Sequence, residues 1–436
     1  MSAADNNEKS SVQGIYSKGI YRGLPDLSSA SKGLTATVTG ANGISGAHMV
    51  RVLAENSERW SKIYALSRRP PSGKWPDTVE HVPVDFLTTP QEIADILKSR
   101  GIKPDYVFFF SYVLIVDDDG ALQWGDQRLL IRPTDELMSN FLEALPLANA
   151  LPKRVFAQFG QKWYGVHLGA TDIPDEESDD RLTLEPNLYY TQHDILESFC
   201  SKHGIGWNTA LPSFVIGAAI DSSQSLLFPI LAYACVQKYL GRELEYPSDL
   251  DAWYAPQSLS NAVLNSYLYE WSVLAPNTAN QAFNASDDCQ FTWGKMWPRL
   301  ASYFDMDYIG PDDGSAAKFQ EQGMKCDPPP HGRGRRSMMR FKFSFVEWAK
   351  SSENVQAWKE LSEKHGLRDA EWKDVGSIFG RANFCLHRPY ASVMSATKAK
   401  KFGFFGFVDS YESIFSVIEE FVALKIVPDP NSIKPR

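Results

Sequence analysis

Short apolar runs alternate with longer amphipathic segments between residues 34 and 217. Runs of β-branched and aromatic residues predict strands, and apolar residues that recur every three or four positions predict helices. The run from Tyr106 to Tyr112 is almost wholly apolar, as expected of a central parallel strand covered on both faces. The predicted strands begin at Leu34, Lys62, Val79, Tyr106, Arg154 and Gly206. This alternation predicts an α/β fold with a doubly wound parallel sheet of the Rossmann type.

Beyond Gly217 the hydrophobic pattern becomes mostly helical. The clearest helical periodicity covers residues 226–240 and 258–274, and residues 281–286 predict one short strand. A mainly helical region of this kind is expected to form a cap over the carboxyl edge of the sheet, where ligands bind in such folds.

Three glycines follow the first predicted strand and precede its helix. Gly40 can adopt the dihedral angles of a tight turn, Gly43 lets a pyrophosphate approach the backbone, and Gly46 lets the helix pack closely on the strand. The helix N-terminus offers N–H groups and a positive dipole end to an anion. A glycine-rich turn without a ligand gives the same pattern, but the strand before it and the helix after it favour dinucleotide binding.

Two arginines follow the second predicted strand, where an acidic residue would hydrogen-bond the ribose of NAD. Ser67 is followed here by Arg68 and Arg69, whose guanidinium groups match the 2′-phosphate of NADP in shape and charge. The alternative is that both arginines are merely solvated. Asp85 ends the third strand, where it either faces the adenine or caps the next helix near Thr89.

The composition of the chain argues against several classes of protein. The formal net charge of −9 argues against binding to a nucleic-acid backbone. The five cysteines form no CxxC pair, which predicts reduced thiols. No His/Asp/Glu set has metal-ligand spacing. No apolar run is long enough to span a bilayer, and the polar N-terminus lacks a hydrophobic signal core. We therefore expect a cytoplasmic protein with no metal centre.

These observations predict three parts of the chain. Residues 1–32 are polar and predict a flexible tail, or a strap that Tyr16, Ile20 and Tyr21 could dock on the surface. Residues 33–217 are predicted to form an NADP-binding Rossmann domain, and residues 218–436 a mainly helical substrate-binding region.

Several spaced motifs then resemble one known family. The strand end Gln158–Lys162, the segment Asn187–Leu196 and the ending from Phe402 to Pro428 are similar to motifs of the progesterone 5β-reductase/iridoid synthase-like enzymes, which are atypical extended short-chain dehydrogenase/reductases. The resemblance runs from about residue 34 to residue 428. It implies NADPH-dependent reduction of the C=C bond of an enone or enal, with Tyr189 and Lys162 as the catalytic residues.

The resemblance, together with the strand-end pattern, also indicates where the ligands would bind. The cofactor-binding candidates are Gly40, Asn42, Gly43, Ile44, Ser67, Arg68, Arg69, Asp85, Phe86, Ser111, Gln158, Pro212, Ser213, Phe214 and Val215. The substrate pocket would be lined by Tyr112, Trp163 and Tyr164. Relatives suggest a homodimer, although the sequence leaves the oligomeric state open.

Tyr189 and Lys162 carry the chemical groups that reduction of an enone requires. Hydride delivery to the β-carbon of an enone pushes negative charge onto the carbonyl oxygen, which then needs a hydrogen-bond donor. The phenol of Tyr189 can donate that bond, and the ammonium of Lys162 can lower the phenol's pKa or hold the cofactor ribose. The predicted function is NADPH-dependent reduction of an activated C=C bond in a bulky lipophilic substrate.

Departures from the family pattern keep two other functions open. Phe109–Tyr112 replaces Tyr-Val-Thr-Trp, Leu211 replaces an arginine, and Thr134 falls at the position of an asparagine. Gln161 replaces an arginine and Trp163 a histidine beside Lys162. These changes alter the pocket's shape and polarity. The alternatives are a redox-neutral isomerase or cyclase and a non-enzymatic NADP-sensing regulator.

Overall fold

A computed structural model describes residues 14–71, 75–113, 127–220, 225–311, 319–372 and 374–436. Its strands are β1 (Ile15–Lys18), β2 (Tyr21–Pro25), β3 (Leu34–Thr39), β4 (Trp60–Ser67), β5 (Val79–Pro83), β6 (Tyr106–Phe109), β7 (Arg154–Gln158), β8 (Gly206–Pro212), β9 (Phe214–Ile216), β10 (Leu244–Glu245), β11 (Gln257–Asn261), β12 (Gln281–Ala285), β13 (Gln290–Phe291), β14 (Tyr308–Ile309), β15 (Gln320–Gly323) and β16 (Met338–Phe341).

Its α-helices are α1 (Ile44–Ala54), α2 (Pro90–Ser99), α3 (Gln127–Leu147), α4 (Leu188–His203), α5 (Leu227–Tyr239), α6 (Leu250–Tyr254), α7 (Ala262–Leu274), α8 (Trp293–Tyr303), α9 (Phe345–Lys350), α10 (Ser352–His365), α11 (Val375–His387), α12 (Thr397–Phe402) and α13 (Ser410–Ala423). Short 3₁₀ helices cover Gln161–Tyr164, Pro276–Thr278 and Pro430–Ser432.

The main sheet has the predicted doubly wound arrangement. Within the described ranges its strand order is β12-β8-β7-β6-β3-β4-β5, and every neighbouring pair is parallel. The chain leaves β3 first toward β4 and β5 and then returns to β6 on the other side. The boundary between β3 and β6 is therefore the topological switch point, beside which ligands bind in open α/β sheets.

Both faces of the sheet are covered, as its apolar central strands require. Phe108 and Phe156 pack into a core with residues of α1 and α7, including Met49 and Trp271. Successive side chains along a strand point to opposite faces, so Val107 packs instead among residues of α2, α3 and α4. A third core joins α5, α8, α10, α11 and α13 in the helical C-terminal region.

The seventh strand of the sheet comes from beyond residue 217. β12 pairs with β8, and α7 covers one sheet face, so the predicted boundary between residues 217 and 218 does not separate the sheet from the helical region. The single strand predicted from Gly206 to Gly217 is two strands, because β8 ends at Pro212 and β9 pairs with β11 in a smaller sheet. The helix predicted from residue 258 begins at Ala262, where Asn261 caps its N-terminus.

Residues 14–32 are ordered and do not form the predicted flexible tail; residues 1–13 lie outside the described ranges. β1 and β2 form an antiparallel hairpin whose Leu24 is fully buried. Arg22 and Phe407 exchange backbone hydrogen bonds of 3.0 and 2.9 Å, which tie the hairpin to the segment before α13. None of the described helices is both long and apolar enough to cross a membrane.

Candidate functional site

Several predicted site residues lie at the carboxyl ends of strands, and they all lie along one edge of the sheet. Because the strands are parallel, their carboxyl ends lie together. Residues at or just after these ends are Gly40 (β3), Ser67 (β4), Asp85 (β5), Ser111 (β6), Gln158 (β7) and Pro212 (β8). The backbone N–H of Ser111 donates to Thr39 Oγ1 at 3.2 Å and so joins the ends of β6 and β3 at the switch point.

The glycine turn has a shape that only glycine allows at two positions. Gly40 has φ +62°, and a β-carbon there would lie 2.7 Å from the carbonyl oxygen of Phe110. A β-carbon on Gly46 would overlap the carbonyl oxygen of Gly40. Glycine at position 46 therefore lets the start of α1 pack directly against the backbone of Gly40. Gly43 is the N-cap of α1, and no described side chain caps this helix end before Ile44. The first-turn N–H groups therefore suit an anion.

The end of β4 is held to the glycine turn by side chains. Asn42 Nδ2 donates to the carbonyl oxygen of Arg69 at 2.8 Å. The hydroxyl of Ser67 lies 2.7 Å from the same carbonyl oxygen and 3.1 Å from Asn42 Oδ1. The side chains of Arg68 and Arg69 are exposed. These bonds hold the backbone of Arg69 beside the glycine turn.

Asp85 is exposed and does not cap α2. Its carboxylate accepts a hydrogen bond from the N–H of Leu87 at 3.0 Å and so forms a local turn. Thr89 caps the helix instead, because its side chain accepts from the Glu92 N–H while the Glu92 carboxylate accepts from the Thr89 N–H. Phe86 is buried against the Phe141 ring at 5.1 Å, so it contributes to the core beneath the site.

Asn187 connects the two predicted catalytic residues. Lys162 lies in the 3₁₀ helix that follows β7, and Tyr189 lies in the first turn of α4. Asn187 caps α4: its Oδ1 accepts from the Tyr189 N–H at 3.0 Å, and its Nδ2 donates to the Lys162 carbonyl oxygen at 2.9 Å. The phenol oxygen of Tyr189 would lie 3.0 Å from a β-carbon on Gly160. Tyr189 therefore lies directly against the segment that carries Lys162.

The charges near these two residues come from different parts of the chain. Burial raises the pKa of Tyr189 to about 12, and the positive charge of Arg381 opposes this shift. Burial lowers the pKa of Lys162 to about 8, and the nearby cations Lys325 and Arg381 add to the effect. Glu185 acts in the opposite direction on Lys162. At neutral pH the phenol is protonated and can donate a hydrogen bond, and the ammonium is largely charged.

The segment Pro212–Val215 is tied to the 3₁₀ helix by buried polar groups. The hydroxyl of Ser213 lies 2.9 Å from Gln161 Oε1, and Gln161 Nε2 donates to Asp175 Oδ2 at 2.8 Å. Asp175 is 1% exposed, and burial raises its pKa to about 6. This network holds the end of β8 in register with Lys162.

The other predicted residues of the site have structural contacts. Gln158 Oε1 accepts from the phenol of Tyr269 at 3.0 Å. Tyr164 is 4% exposed and its phenol donates to Asn284 at 2.7 Å, so it packs in the core rather than lining a pocket. Trp163 stacks on Phe159 with ring centroids 6.1 Å apart. The same ring contacts Tyr190 and His193 of α4 at 4.8 and 5.5 Å, and the Arg181 guanidinium lies 5.2 Å from its centre.

Tyr112 lies in the same electrostatic environment as Tyr189. Burial raises the pKa of the Tyr112 phenol, Tyr189 adds to this shift and Arg381 opposes it. Arg381 belongs to α11 and was absent from the predicted site, because nothing in its local sequence distinguishes it from other arginines. Asn187 was also absent, although an asparagine directly before a helix is a recognisable cap signal.

Comparison with known proteins identifies the family. A family model described as "PRISE-like Rossmann-fold domain" matches residues 36–322. The chain belongs to the PRISE family. This confirms the family resemblance seen in its sequence motifs.

Relatives of this PRISE protein span nearly its whole length. It is 28% identical to "Short chain dehydrogenase gsfE" of Penicillium aethiopicum, over 90% of this chain and 99% of that protein. It is 26% identical to "3-oxo-Delta(4,5)-steroid 5-beta-reductase" of Arabidopsis thaliana, over 95% and 98%. It is 25% identical to "(S)-8-oxocitronellyl enol synthase" of Catharanthus roseus, over 90% and 92%.

A solved structure supports the fold of this PRISE protein. The terminal R domain from the myxalamid PKS-NRPS pathway aligns with a TM-score of 0.57 over 95% of this chain and 97% of that one, at 14% identity. Together with the family and its relatives, the fold makes the chain an oxidoreductase enzyme of the short-chain dehydrogenase type. Enzymes of this type use a nicotinamide dinucleotide for hydride transfer.

Proposed function

We propose that this enzyme reduces an activated C=C bond of a bulky lipophilic enone or enal with NADPH. The observation that carries the proposal is the double hydrogen bond of Asn187, which joins the backbone of Lys162 to that of Tyr189. A phenol and an ammonium are thereby attached to one small rigid unit at the carboxyl edge of the sheet. This is the pair of groups that enolate formation beside a nicotinamide needs.

The residues of the glycine turn fit a dinucleotide. Gly40 and Gly46 leave no room for a β-carbon, and the N-terminus of α1 lacks a side-chain cap among the described residues. Arg68 and Arg69 are exposed beside the turn, where they would pair with the 2′-phosphate that distinguishes NADP from NAD. NADPH, when bound, supplies the hydride.

Tyr189 would stabilise the charge that develops on the substrate. Hydride addition to the β-carbon shifts the C=C π electrons into a new double bond between the α-carbon and the carbonyl carbon. The π electrons of the C=O bond move onto oxygen, which becomes an enolate. Because its pKa is raised to about 12, the phenol remains protonated at neutral pH and can donate a hydrogen bond to that oxygen. Lys162 would hold the cofactor ribose, since its ammonium is charged and its backbone is fixed by Asn187.

The helical C-terminal region would supply the apolar wall of the substrate cavity. Phe214 of β9 and Phe384 of α11 lie with ring centroids 6.1 Å apart, so aromatic surface from both halves of the chain meets beside the predicted nicotinamide segment. Aromatic rings favour a lipophilic substrate. We accordingly assign the substrate-binding role to residues 218–436.

Steady-state NADPH oxidation with a panel of cyclic and acyclic enones and enals tests the proposal. We expect turnover with at least one bulky substrate, and product analysis should show a saturated C–C bond with the carbonyl retained. Tight NADPH binding without turnover of any alkene would count against it. Product formation that continues without NADPH would favour a redox-neutral isomerase or cyclase.

A further inference from the structure

A fully buried arginine contacts the two rings that meet between β9 and α11. Arg388 follows the last residue of α11 as its C-cap, and none of its surface is exposed. Its guanidinium lies 5.4 Å from the centre of the Phe214 ring and 5.7 Å from that of Phe384. The Tyr390 ring lies at 5.8 Å. One cation is thus surrounded by aromatic rings from β9, from α11 and from the segment that follows α11.

The guanidinium of Arg388 has few polar partners. Its Nη2 donates to Gln257 Oε1 at 2.9 Å. In the part of the chain that the structure describes, Nε and Nη1 have no hydrogen-bond partner, and no carboxylate lies within ion-pair distance. A guanidinium remains charged even when it is buried. The faces of the three rings are therefore the main groups that offset its lost hydration.

The amide of Gln257 aligns Arg388 with the strand that carries Phe214. Gln257 belongs to β11 and is fully buried, and its Nε2 donates to the Cys385 carbonyl oxygen at 3.4 Å. β11 pairs in parallel with β9, where Leu259 lies opposite Phe214. The same amide therefore binds the end of α11 and the guanidinium, and it extends from the strand beside Phe214.

The contacts of Arg388 separate the rings that could meet a ligand from the group that holds them. Phe214 and Phe384 are only partly buried, so each has ring surface left to present to a ligand. Arg388 has none, and Tyr390 is nearly buried, with its phenol bonded to the Val166 carbonyl oxygen at 2.7 Å. Any effect of Arg388 on a ligand must therefore pass through the rings.

We propose that Arg388 is a positioning residue that fixes Phe214 and Phe384 as one wall of the substrate cavity and thereby sets the preference for a bulky substrate. The assignment of these rings to the cavity rests on the proposed function. A cation on the face of a ring favours one orientation of that ring, whereas apolar contact alone is non-directional. Because both rings share one guanidinium, loss of its charge should release them together.

Fluorine NMR tests the positioning role without any need for activity. The full chain carries para-fluorophenylalanine at position 214 or at position 384. We expect one narrow resonance from each label in the wild type, and a shifted or broadened resonance at both positions in Arg388→Met. Arg388→Lys should restore most of the wild-type spectrum, because an ammonium also attracts the ring faces. Arg388→Met should fold, since it removes a buried charge that has no carboxylate partner, and Arg388→Gln replaces it if it does not.

The matched control removes an arginine from another ring. The Arg299 guanidinium lies 4.2 Å from the centre of the Tyr411 ring, so Arg299→Met also loses a cation–π contact but should leave both fluorine resonances unchanged. The inference is overturned if both resonances keep their wild-type position and width in Arg388→Met or Arg388→Gln. It is also overturned if Arg299→Met changes them as much.

Ligand binding tests the effect on specificity. The labelled proteins, saturated with NADP⁺, are titrated with a decalone as the bulky ketone and with cyclohexanone as the small one. In Arg388→Met we expect the Kd for the decalone to rise on the order of tenfold, while the Kd values for cyclohexanone and NADPH change little. In turnover the loss should appear in the KM for bulky enones, with kcat at saturation retained.

The outcomes separate this inference from the proposed function. A wild type that binds the decalone but reduces no alkene would remove the reductase function and leave the role of Arg388 standing. A decalone that binds without moving either resonance, or equal losses of affinity for the two ketones, would overturn the role in specificity. Absence of ketone binding would overturn it as well, and the fluorine spectra would still decide whether Arg388 fixes the rings.

Discussion

The side-chain amide of Asn187 donates a 2.9 Å hydrogen bond to the backbone carbonyl of Lys162. The same side chain accepts from the N–H of Tyr189, so one residue fixes both the start of α4 and the 3₁₀ helix after β7. The candidate catalytic pair comes from two elements, and its geometry depends on a third residue between them.

Replacement of Asn187 should therefore affect stability and activity separately. Asn187→Asp keeps the acceptor that caps α4 but loses the donor to Lys162, whereas Asn187→Ala loses both. We expect Asn187→Ala to cost about 1 kcal/mol of unfolding free energy and Asn187→Asp less, while both lower kcat. Urea unfolding and steady-state kinetics measure the two effects.

The control for this prediction is Thr89→Ala. Thr89 caps α2 away from Tyr189, so its loss should cost similar stability and leave kcat unchanged. An Asn187→Asp enzyme with wild-type kcat would show that the hydrogen bond to Lys162 has no part in catalysis.

Removal of the Tyr189 hydroxyl should slow the chemical step. Tyr189→Phe keeps the ring against Gly160 but leaves no donor for the developing oxyanion, so we expect kcat to fall by about 10²- to 10⁴-fold with little change in the Kd for NADPH. The adjacent Tyr190→Phe is the matched control, because the Tyr190 phenol donates to the carbonyl of Trp163. Equal losses in the two variants would argue against a specific role for Tyr189.

Local sequence signals predicted the individual strands, helices and turns better than the way in which they pair and pack. The conformation of Gly40 depends on a few neighbouring residues, and β12 was predicted as a strand. Its place as the seventh strand of the main sheet depends on pairing with β8, many residues earlier in the chain. Arg381 was missed in the same way, because only the tertiary packing of α11 lets its charge lower the pKa of Tyr189. Such long-range contacts leave no periodic pattern in the sequence.

Cofactor preference should depend on the two exposed arginines after β4. Replacing Arg68 and Arg69 together with alanine removes the charge-assisted hydrogen bonds available to a 2′-phosphate, each worth about 1.5–3 kcal/mol. We expect the KM for NADPH to rise at least on the order of tenfold, while the KM for NADH stays the same or falls. Arg100→Ala, which removes an exposed arginine near Glu80, is the control. A double variant that retains the wild-type preference for NADPH over NADH would contradict the assignment.

The pH dependence of the unfolding free energy should reveal the titration of one buried carboxyl group, that of Asp287. Asp287 is fully buried, accepts from the Asn261 N–H at 2.6 Å and the Ser410 hydroxyl at 2.8 Å, and burial raises its pKa to about 6. The unfolded chain ionises this group near the ordinary aspartate value of 3.8, so between these two values the folded state binds more protons. The contribution of this group to stability must therefore fall as pH rises through that window.

Asp287→Asn removes the titration and keeps an acceptor for Asn261, while Ser410 can accept from the new amide. The unfolding free energy of the variant should fall less steeply than that of the wild type between about pH 4 and about pH 6, by at most about 3 kcal/mol over the window. Asp175 has a similarly raised pKa, so replacing both residues should reduce the slope further than Asp287→Asn alone. Urea unfolding across this range measures the slope. An Asp287→Asn slope equal to that of the wild type would mean that this carboxyl group does not titrate between its folded and unfolded values.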